Sequence, residues 1–148
     1  MKAEELWNEF TEKYPEHVSD TYEAWSYGVD ADELAELTAK GIKTATASAY
    51  ALYELEGDPL PEPGDFSIIL NSDDDALCII RTTHINVVPF KVVTEDFAWK
   101  EGEGNRSLRY WREVHTEFFE AEYERHDMTF DEKIKVVARI LINQVGRH

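Results

Sequence analysis

Length, composition and charge exclude several classes of protein. The 148 residues are enough for one domain with its own core, since domains cluster around roughly 100–150 residues. The 15 basic and 31 acidic residues give a formal charge of −16, which disfavours broad, sequence-independent binding to nucleic acid. The single cysteine, Cys78, excludes an internal disulfide and a cysteine-cluster zinc site.

The N-terminal segment is typical of an amphipathic helix. Leu6, Trp7, Phe10 and Tyr14 recur at spacings of three and four, which predicts a helix over about residues 2–14. The segment has no continuous apolar run, and no later segment approaches the roughly 20 apolar residues of a membrane span. We therefore expect a cytoplasmic protein that does not contact a membrane.

Two further helices are predicted in the first half of the chain. The aromatic stretch DTYEAWSYG, residues 20–28, favours an irregular connection. VDADELAELTAKG then predicts a helix with Asp30 as N-cap, Glu33 in its first turn and Gly41 after its end. A shorter helix is predicted in SAYALYELEG, before the turn-forming DPLPEPGD.

The second half of the chain alternates predicted strands and helices. DFSIIL and ALCIIRTTHINVV predict a hairpin of two long strands, because they are rich in β-branched residues and separated by the turn-forming NSDDD. A short helix capped by Thr94 and a longer helix over residues 107–126 follow. KIKVVARILINQV fits helix or strand by period, and its β-branched content favours a strand. The pattern predicts an α+β domain built on a small sheet or barrel.

The stretch GIKTATASAY contains the first candidate for chemistry. Lys43 is followed by hydroxyl side chains at Thr44, Thr46 and Ser48. A lysine removed from water has a lowered pKa, so it can accept a proton or attack a carbonyl, while a nearby hydroxyl serves as nucleophile. The alternative is a solvated lysine beside strand-forming threonines.

The stretch FAWKEGEGNRS contains the second candidate. Glu101 and Glu103 are each followed by glycine, which allows the backbone to approach a ligand closely. A carboxylate on such a loop can act as an acid, a base or a hydrogen-bond acceptor. The alternative is a helix C-terminal turn that carries two solvated acids.

Metal, cofactor and other nucleophilic motifs are not evident. The five histidines show no paired ligand spacing, NSDDD lacks the fuller pattern of a calcium loop, and we predict no metal or cofactor. His115 shares a helix face with Trp111 and is interpreted first as a packing residue. The chain also lacks G-x-S-x-G, a P-loop and the dinucleotide fingerprint G-x-G-x-x-G.

Several segments together resemble one known family. In chain order they are YEAWSYG, DELAEL followed by GIKTATAS, LPEPGDFSIIL, CIIRTTHINVVPF and FAWKEGEGNRSLRYWREVHTEFF. The combination resembles the ASCH domain family over about residues 20–130. GIKTATAS and EGEG-x-x-SL-x-x-W-x-x-x-H are its most specific parts.

The resemblance implies a fold and an activity. The fold would be a single domain, residues 1–148, with a small β-barrel like that of PUA domains, surrounding helices and a central cleft. Smaller bacterial members are amidohydrolases that remove the acetyl group from N4-acetylcytidine. Carried over by motif, Thr46 would attack the acyl carbon, Lys43 would take up its proton or stabilise the oxyanion, and Glu101 would orient or protonate.

The resemblance also implies ligand-binding positions and leaves an alternative open. The predicted pocket residues are Trp25, Tyr27, Thr44, Ser48, Glu103, Arg106 and Ser107. Asn105 and Ala138 stand where acidic residues are more usual in the family, which puts the substrate in doubt.

The alternatives use the cleft differently. The same cleft could belong to a module that binds or processes single-stranded RNA, which would require an open basic groove. In a protein-interaction domain with a vestigial cleft, Lys43 would be exposed and Glu101 remote from it.

Overall fold

The computed structural model describes residues 1–145. In this range the helices are α1 (Ala3–Lys13), α2 (Ala31–Ala39), α3 (Tyr50–Glu56), α4 (Glu95–Glu101) and α5 (Leu108–Arg125). The strands are β1 (Tyr22–Trp25), β2 (Ala45–Ala49), β3 (Phe66–Leu70), β4 (Ala76–Pro89) and β5 (Lys135–Val145). Single 3-10 turns occur at Pro15–His17 and Phe90–Val92. The last three residues of the predicted domain, including His148, lie outside the described range.

The five strands form one mixed sheet in the order β1-β3-β4-β5-β2. β1 pairs with β3 in parallel, and the other neighbouring strands are antiparallel. The α+β prediction is therefore confirmed. Among residues 1–145 no pairing joins the two edge strands, β1 and β2. The sheet is therefore open, whereas in a closed barrel these two strands would pair with each other.

β4 organises the sheet because it is long enough to pair on both sides. Its first half pairs with β3 and forms the predicted hairpin, while its other edge pairs with β5 from Ile79 to Pro89. The register shifts between Ile79 and Ile80 and between Thr82 and His84. Such irregularities increase the local twist and bend a strand. The favoured strand interpretation of the C-terminal segment is confirmed by this pairing.

Helices cover the sheet through separate apolar clusters. α1 packs Leu6, Trp7 and Phe10 against Phe66 and its neighbours on β3 and β4. α2 packs against residues of β3, β4 and β5. α5 contributes aromatic side chains to a third cluster, with α3, α4 and β5. Burial of these apolar faces is the main force that holds the helices on the sheet.

Two local predictions need correction. Residues Tyr22–Trp25, expected in an irregular connection, form β1, because pairing with β3 supplies hydrogen bonds that the local pattern does not reveal. Asp30 does occupy the N-cap position of α2, but its φ is +46° and its side chain forms no capping hydrogen bond. Within residues 1–145 we find no helix with the length and apolar character that crossing a membrane requires.

Candidate functional site

A cleft of about 1050 Å³ lies between the sheet and α5. Seven of the residues predicted to form a site line it: Trp25, Tyr27, Lys43, Thr46, Ser48, Glu101 and Glu103. They come from β1, β2, the end of α4 and the connections beside these elements. Segments distant in the chain thus contribute side chains to one cavity.

The end of α2 and the end of α4 position Lys43. The chain leaves α2 through Gly41, whose φ is +77°, and the backbone N–H of Lys43 donates to the carbonyl of Leu37. The next residue, Thr44, donates its N–H to the carbonyl of Lys100 at 2.7 Å. This hydrogen bond ties the start of β2 to α4 and directs the Lys43 side chain inward, where only 2 % of the residue is exposed.

The Lys43 ammonium lies between two carboxylates. Its Nζ donates to Glu101 Oε1 at 2.7 Å and to Glu103 Oε2 at 2.9 Å. It also lies 5.3 Å from the centre of the Tyr27 ring, within the range of a cation–π interaction. Burial by itself would lower the pKa of Lys43, but the neighbouring Glu101, Tyr27 and Glu103 outweigh it and raise the pKa. The expected lowering of the lysine pKa is therefore wrong, and Lys43 is held as a cation.

Glu101 is fully buried and bonded through both carboxylate oxygens. Oε1 accepts from Lys43, while Oε2 accepts from Trp111 Nε1 at 2.5 Å and lies 3.4 Å from His115 Nε2. Burial favours the neutral acid, but the positive charges of Lys43 and His115 outweigh burial and hold the pKa of Glu101 well below its usual range. Glu101 is thus a fixed carboxylate.

His115 is part of this charge network rather than only a packing residue. It lies one helical turn after Trp111 on α5, and the two rings stack at 4.1 Å. Its Nδ1 donates to the carbonyl of Trp111 at 2.8 Å, which leaves Nε2 facing Glu101. Burial opposes the charged form, but Glu101 outweighs burial and raises the pKa of His115. The imidazolium is favoured because its Nε2–H can then point at a carboxylate.

Two glycines shape the loop that carries Glu103. Gly102 has φ +72°, and a Cβ at this position would lie 2.6 Å from the carbonyl oxygen of Ile42. Gly104 has φ +57° and packs against the ring of Tyr110, which leaves no room for a Cβ. Because only glycine fits, the loop can wrap around the Lys43 ammonium.

Glu103 is the most exposed member of what we call the ion cluster: Lys43, Glu101, Glu103 and His115. Its side chain is 16 % exposed, compared with 1 % for Lys43 and Glu101. Burial raises the pKa of Glu103, and the charge of Glu101 adds to this, while Lys43 acts in the opposite direction. Glu103 is therefore the carboxyl group of the cluster whose protonated form burial favours, and its partial exposure allows it to exchange that proton with the cleft.

Three members of the ion cluster also resemble a metal-ligand set. One ligand atom from each of Glu101, Glu103 and His115 lies within 4.8 Å of the others. The Lys43 ammonium, however, is hydrogen-bonded to both carboxylates at 2.7 and 2.9 Å. A metal ion would have to displace that ammonium group, so the arrangement fits a network of side-chain ion pairs better than a metal centre.

The β2 strand presents hydroxyl groups to the same cleft. Thr46 and Ser48 are two residues apart on the strand, so their side chains lie on the same face, and both line the cavity. Ser48 Oγ is 2.6 Å from the hydroxyl of Tyr53. The hydroxyl of Thr46 forms no hydrogen bond with the part of the chain that the structure describes. Thr46 is thus available to a ligand.

Arg139 is a cleft residue that the sequence interpretation missed. It lies on β5 directly opposite Thr46, so the two side chains share one face of the sheet. The signal was a charged residue inside the apolar run VVARILI. A lone arginine in a strand is too common a pattern to assign a role without the tertiary structure.

Three predicted pocket residues lie outside the cleft lining. Thr44 bonds to the carbonyl of Lys100, and Ser107 caps α5 by accepting from the N–H of Tyr110. Arg106 stacks on Trp99 at 3.5 Å and donates Nε–H to the carbonyl of that residue. These contacts brace the loop and the helix ends around the ion cluster.

Two positions that depart from the family pattern have local explanations. Asn105 Oδ1 accepts from the N–H of Ser107 at 3.0 Å, a bond that an aspartate oxygen could form equally well. Ala138 pairs with Ala47 in the β2–β5 ladder and is 9 % exposed. Neither substitution removes a contact of the ion cluster.

The comparisons with known proteins agree on one family. The model of the ASCH domain matches residues 23–140. The crystal structure of an ASCH domain from Lactobacillus crispatus JV V101 is similar, with a TM-score of 0.82, 30% identity and coverage of 92% of both chains. Protein EF3133 from Enterococcus faecalis V583 has a TM-score of 0.84 and 31% identity, with coverage of 95% of this chain and 87% of that one.

A search of curated proteins found no significant match. The family model, however, spans far more than half of the 148 residues, and the structural matches span nearly the whole chain. These ASCH structural neighbours have a PUA-like fold, in agreement with the mixed sheet and flanking helices described above. The chain belongs to the ASCH domain family.

Proposed function

We propose that this ASCH domain is an amidohydrolase that removes the acyl group from the exocyclic amine of a nucleoside such as N4-acetylcytidine. The observation that supports this most strongly is the ion cluster in a cleft that also presents an unbonded threonine hydroxyl, Thr46. Amide hydrolysis requires a nucleophile, a proton acceptor and stabilisation of the oxyanion. The cleft lining contains a side chain suited to each task.

We divide these tasks among the side chains according to their charges. Lys43 remains an ammonium because Glu101 holds it, so it stabilises the negative oxygen that develops on the acyl carbon. Glu103, with its raised pKa and partial exposure, accepts the proton of Thr46. Glu101 orients Lys43 and does not itself transfer a proton. In this proposal Lys43 stabilises the oxyanion. Glu103 takes the role of base, which the family resemblance offered as one of two roles for Lys43.

The proposed reaction has two balanced steps. Thr46 Oγ forms a bond to the acyl carbon, its proton passes to Glu103, and the C–N bond breaks as the same proton reaches the leaving amine. Water then attacks the threonine ester, gives one proton through Glu103 to Thr46 Oγ, and releases the carboxylic acid. The sum is amide plus water giving amine plus acid.

The remaining lining of the cleft fits a planar, uncharged ligand. Trp25 and Tyr27 are packed edge to face at 5.1 Å, and both contribute to the cavity wall. Such rings provide flat apolar surface for a heterocyclic base. Acidic side chains, including Glu23, Glu62 and Asp65, also line the cleft. They disfavour a phosphate-bearing ligand more than a neutral nucleoside.

The alternative function is RNA binding or processing, which has been proposed for the PUA-like fold of ASCH domains. The basic residues that lie close in the chain to Lys43 and to Glu101 do not support it through this cleft. Lys40, Lys100, Arg106, Arg109 and Arg112 are absent from the cleft lining in the described part of the chain. An open basic groove is the feature that RNA binding would require.

The experiment is a deacetylation assay with N4-acetylcytidine, followed by chromatographic separation of cytidine. The wild type should release cytidine, Thr46→Val should be inactive because it lacks the hydroxyl, and Thr46→Ser should retain part of the activity. Thr83→Val is a matched control, because Thr83 lies on β4 outside the cleft lining. Release of cytidine by Thr46→Val, or no release by the folded wild type, would contradict the proposed function.

A further inference from the structure

Arg139 carries an unusual charge for a buried residue. Only 9 % of the residue is exposed, and no carboxylate within residues 1–145 forms an ion pair with it. One hydrogen bond is made, from Nη2 to Thr82 Oγ1 at 2.8 Å, and the buried Nε has no partner in the described chain. The guanidinium thus keeps N–H groups that no atom of the described chain accepts from, and because Arg139 lines the cleft, a bound ligand can accept from them.

The surroundings of Arg139 define where that ligand atom would lie. Arg139 lines the cleft, and its guanidinium is 5.7 Å from the centre of the Trp25 ring. Across the β2–β5 ladder it is paired with Thr46, the proposed nucleophile. An acceptor bound by Arg139 would therefore belong to a group beside the aromatic wall and close to the acyl carbon that Thr46 attacks.

We propose that Arg139 binds the 2-carbonyl oxygen of an N4-acylated pyrimidine and so selects the heterocycle that the cleft accepts. The identity of the ring rests on the proposed function. In such a pyrimidine the 2-carbonyl and the acylated 4-amine flank the same ring nitrogen, so adjacent residues can contact both groups. Thr46 and Arg139 are adjacent in this sense, because they are direct cross-strand partners.

A carbonyl oxygen fits this position better than a phosphate. The neighbouring acids Asp65 and Glu23 lie beyond ion-pair distance from Arg139 but act on it through their charge. They would repel a multiply charged anion that approached the same guanidinium. A neutral carbonyl oxygen accepts hydrogen bonds from the unused N–H groups of Arg139 without adding negative charge beside Asp65 and Glu23.

The test is a pair of ligands that differ at the 2-carbonyl. N4-acetylcytosine contains it, whereas 4-acetamidopyrimidine has the same acetylated amine without it. Binding is measured by titration calorimetry in a Thr46→Ala background, so that neither compound is consumed. We expect N4-acetylcytosine to bind about ten- to a hundredfold more tightly, because a hydrogen bond to a charged donor contributes about 1.5–3 kcal/mol.

Substitution of the arginine should remove this preference. In Thr46→Ala/Arg139→Met the two compounds should bind within about twofold of each other, since methionine keeps apolar bulk and no donor. Arg139→Lys should keep part of the preference, because it keeps the charge but loses the planar fork. Arg81→Met is the matched control, because Arg81 lies on β4 outside the cleft lining. Inorganic phosphate should not bind measurably to either protein.

The outcomes separate this inference from the proposed function. Equal affinity for the two compounds in the Thr46→Ala protein, no binding of either compound, or a preference that survives Arg139→Met would overturn the role of Arg139. Deacetylation that does not depend on Arg139 leaves the proposed function intact. Conversely, an Arg139-dependent binding preference without any deacetylation by the wild type supports the recognition site and contradicts the hydrolase.

Discussion

The cleft contains two buried cations in opposite situations. Lys43 donates hydrogen bonds to two carboxylates, those of Glu101 and Glu103. The Glu101 carboxylate also accepts from Trp111 and forms an ion pair with His115. Arg139 has one hydrogen bond and no ion pair within the described residues. The Lys43 ammonium is held in place by two carboxylates and is therefore preorganised, whereas most N–H groups of Arg139 are left for a ligand. The comparison separates a cation whose position the protein fixes from a cation whose position depends on a ligand.

The largest expected effect is loss of the Lys43 charge. Lys43→Met leaves Glu101 and Glu103 as neighbouring buried acids without their cation, so the free energy of unfolding should fall by about 3–5 kcal/mol. Arg139→Met should leave that free energy unchanged or raise it, because it removes an unpaired charge. Urea denaturation of both variants measures the difference. Equal destabilisation by the two substitutions would contradict the comparison.

The next effect concerns the glycine that brings the loop to Lys43. Gly102 and Gly57 have nearly equal φ angles, +72° and +71°, but only Gly102 faces the carbonyl oxygen of Ile42. Gly57→Ala should cost about 1–2 kcal/mol for its left-handed conformation alone. Gly102→Ala should cost more and should also reduce deacetylation, because the loop must move away from Ile42. Denaturation and the cytidine assay measure both, and equal effects at the two glycines would show that the close approach is unimportant.

The protonation of His115 provides a prediction in pH. Its pKa is raised above the ordinary 6.5, so its stabilising contribution is complete below 6.5 and is lost as the pH rises through the higher folded value. NMR titration should give a His115 pKa above 6.5 in the wild type and a lower value in Glu101→Gln. The same pKa in both proteins would mean that Glu101 does not charge the imidazole.

The pKa of Glu103 predicts the acidic side of the rate profile. Because this pKa is raised above 4.5, deacetylation should decline as the pH falls through the raised value and the carboxylate becomes protonated. Glu103→Gln should remove that decline together with most of kcat. A profile unchanged in shape and height by Glu103→Gln would assign the proton transfer to another group.

The smallest effect is expected at a loop position outside the cleft lining. In Asn105→Asp a carboxylate oxygen replaces the amide oxygen that accepts from Ser107, so the turn is preserved. Stability should change by no more than about 0.5 kcal/mol. A larger change, measured by urea denaturation, would mean that the departure from the family pattern affects the loop itself.

Local patterns predicted most of the secondary structure but little of the bonding in the site. The periodicity of Leu6, Trp7 and Phe10 is a local signal and identified α1 correctly. The pairing of Lys43 with Glu101 joins residues 58 positions apart, and spacing along the chain carries no information about such a distance. β1 was missed for the same reason, since its hydrogen bonds come from β3.

The charges and contacts of the site residues were harder to predict than the list of residues that line the cleft. Burial alone predicts a lowered lysine pKa, and the opposite direction follows only once both carboxylates are seen beside Lys43. His115 was interpreted as packing, because a histidine on an aromatic face gives no sign of a carboxylate beyond it. Arg139 became informative only when the fold showed that it makes a single hydrogen bond and no ion pair within residues 1–145.

The central claim is that Thr46 attacks the acyl group while Lys43 stays charged. It is tested most directly by mass spectrometry of protein quenched during a single turnover of N4-acetylcytidine, with peptide mapping of the acetyl group. The proposed mechanism predicts a transient acetyl ester on Thr46 that is absent in Thr46→Val. Cytidine release with no acetylated Thr46 at any time, or an acetyl group on Lys43 instead, would contradict it.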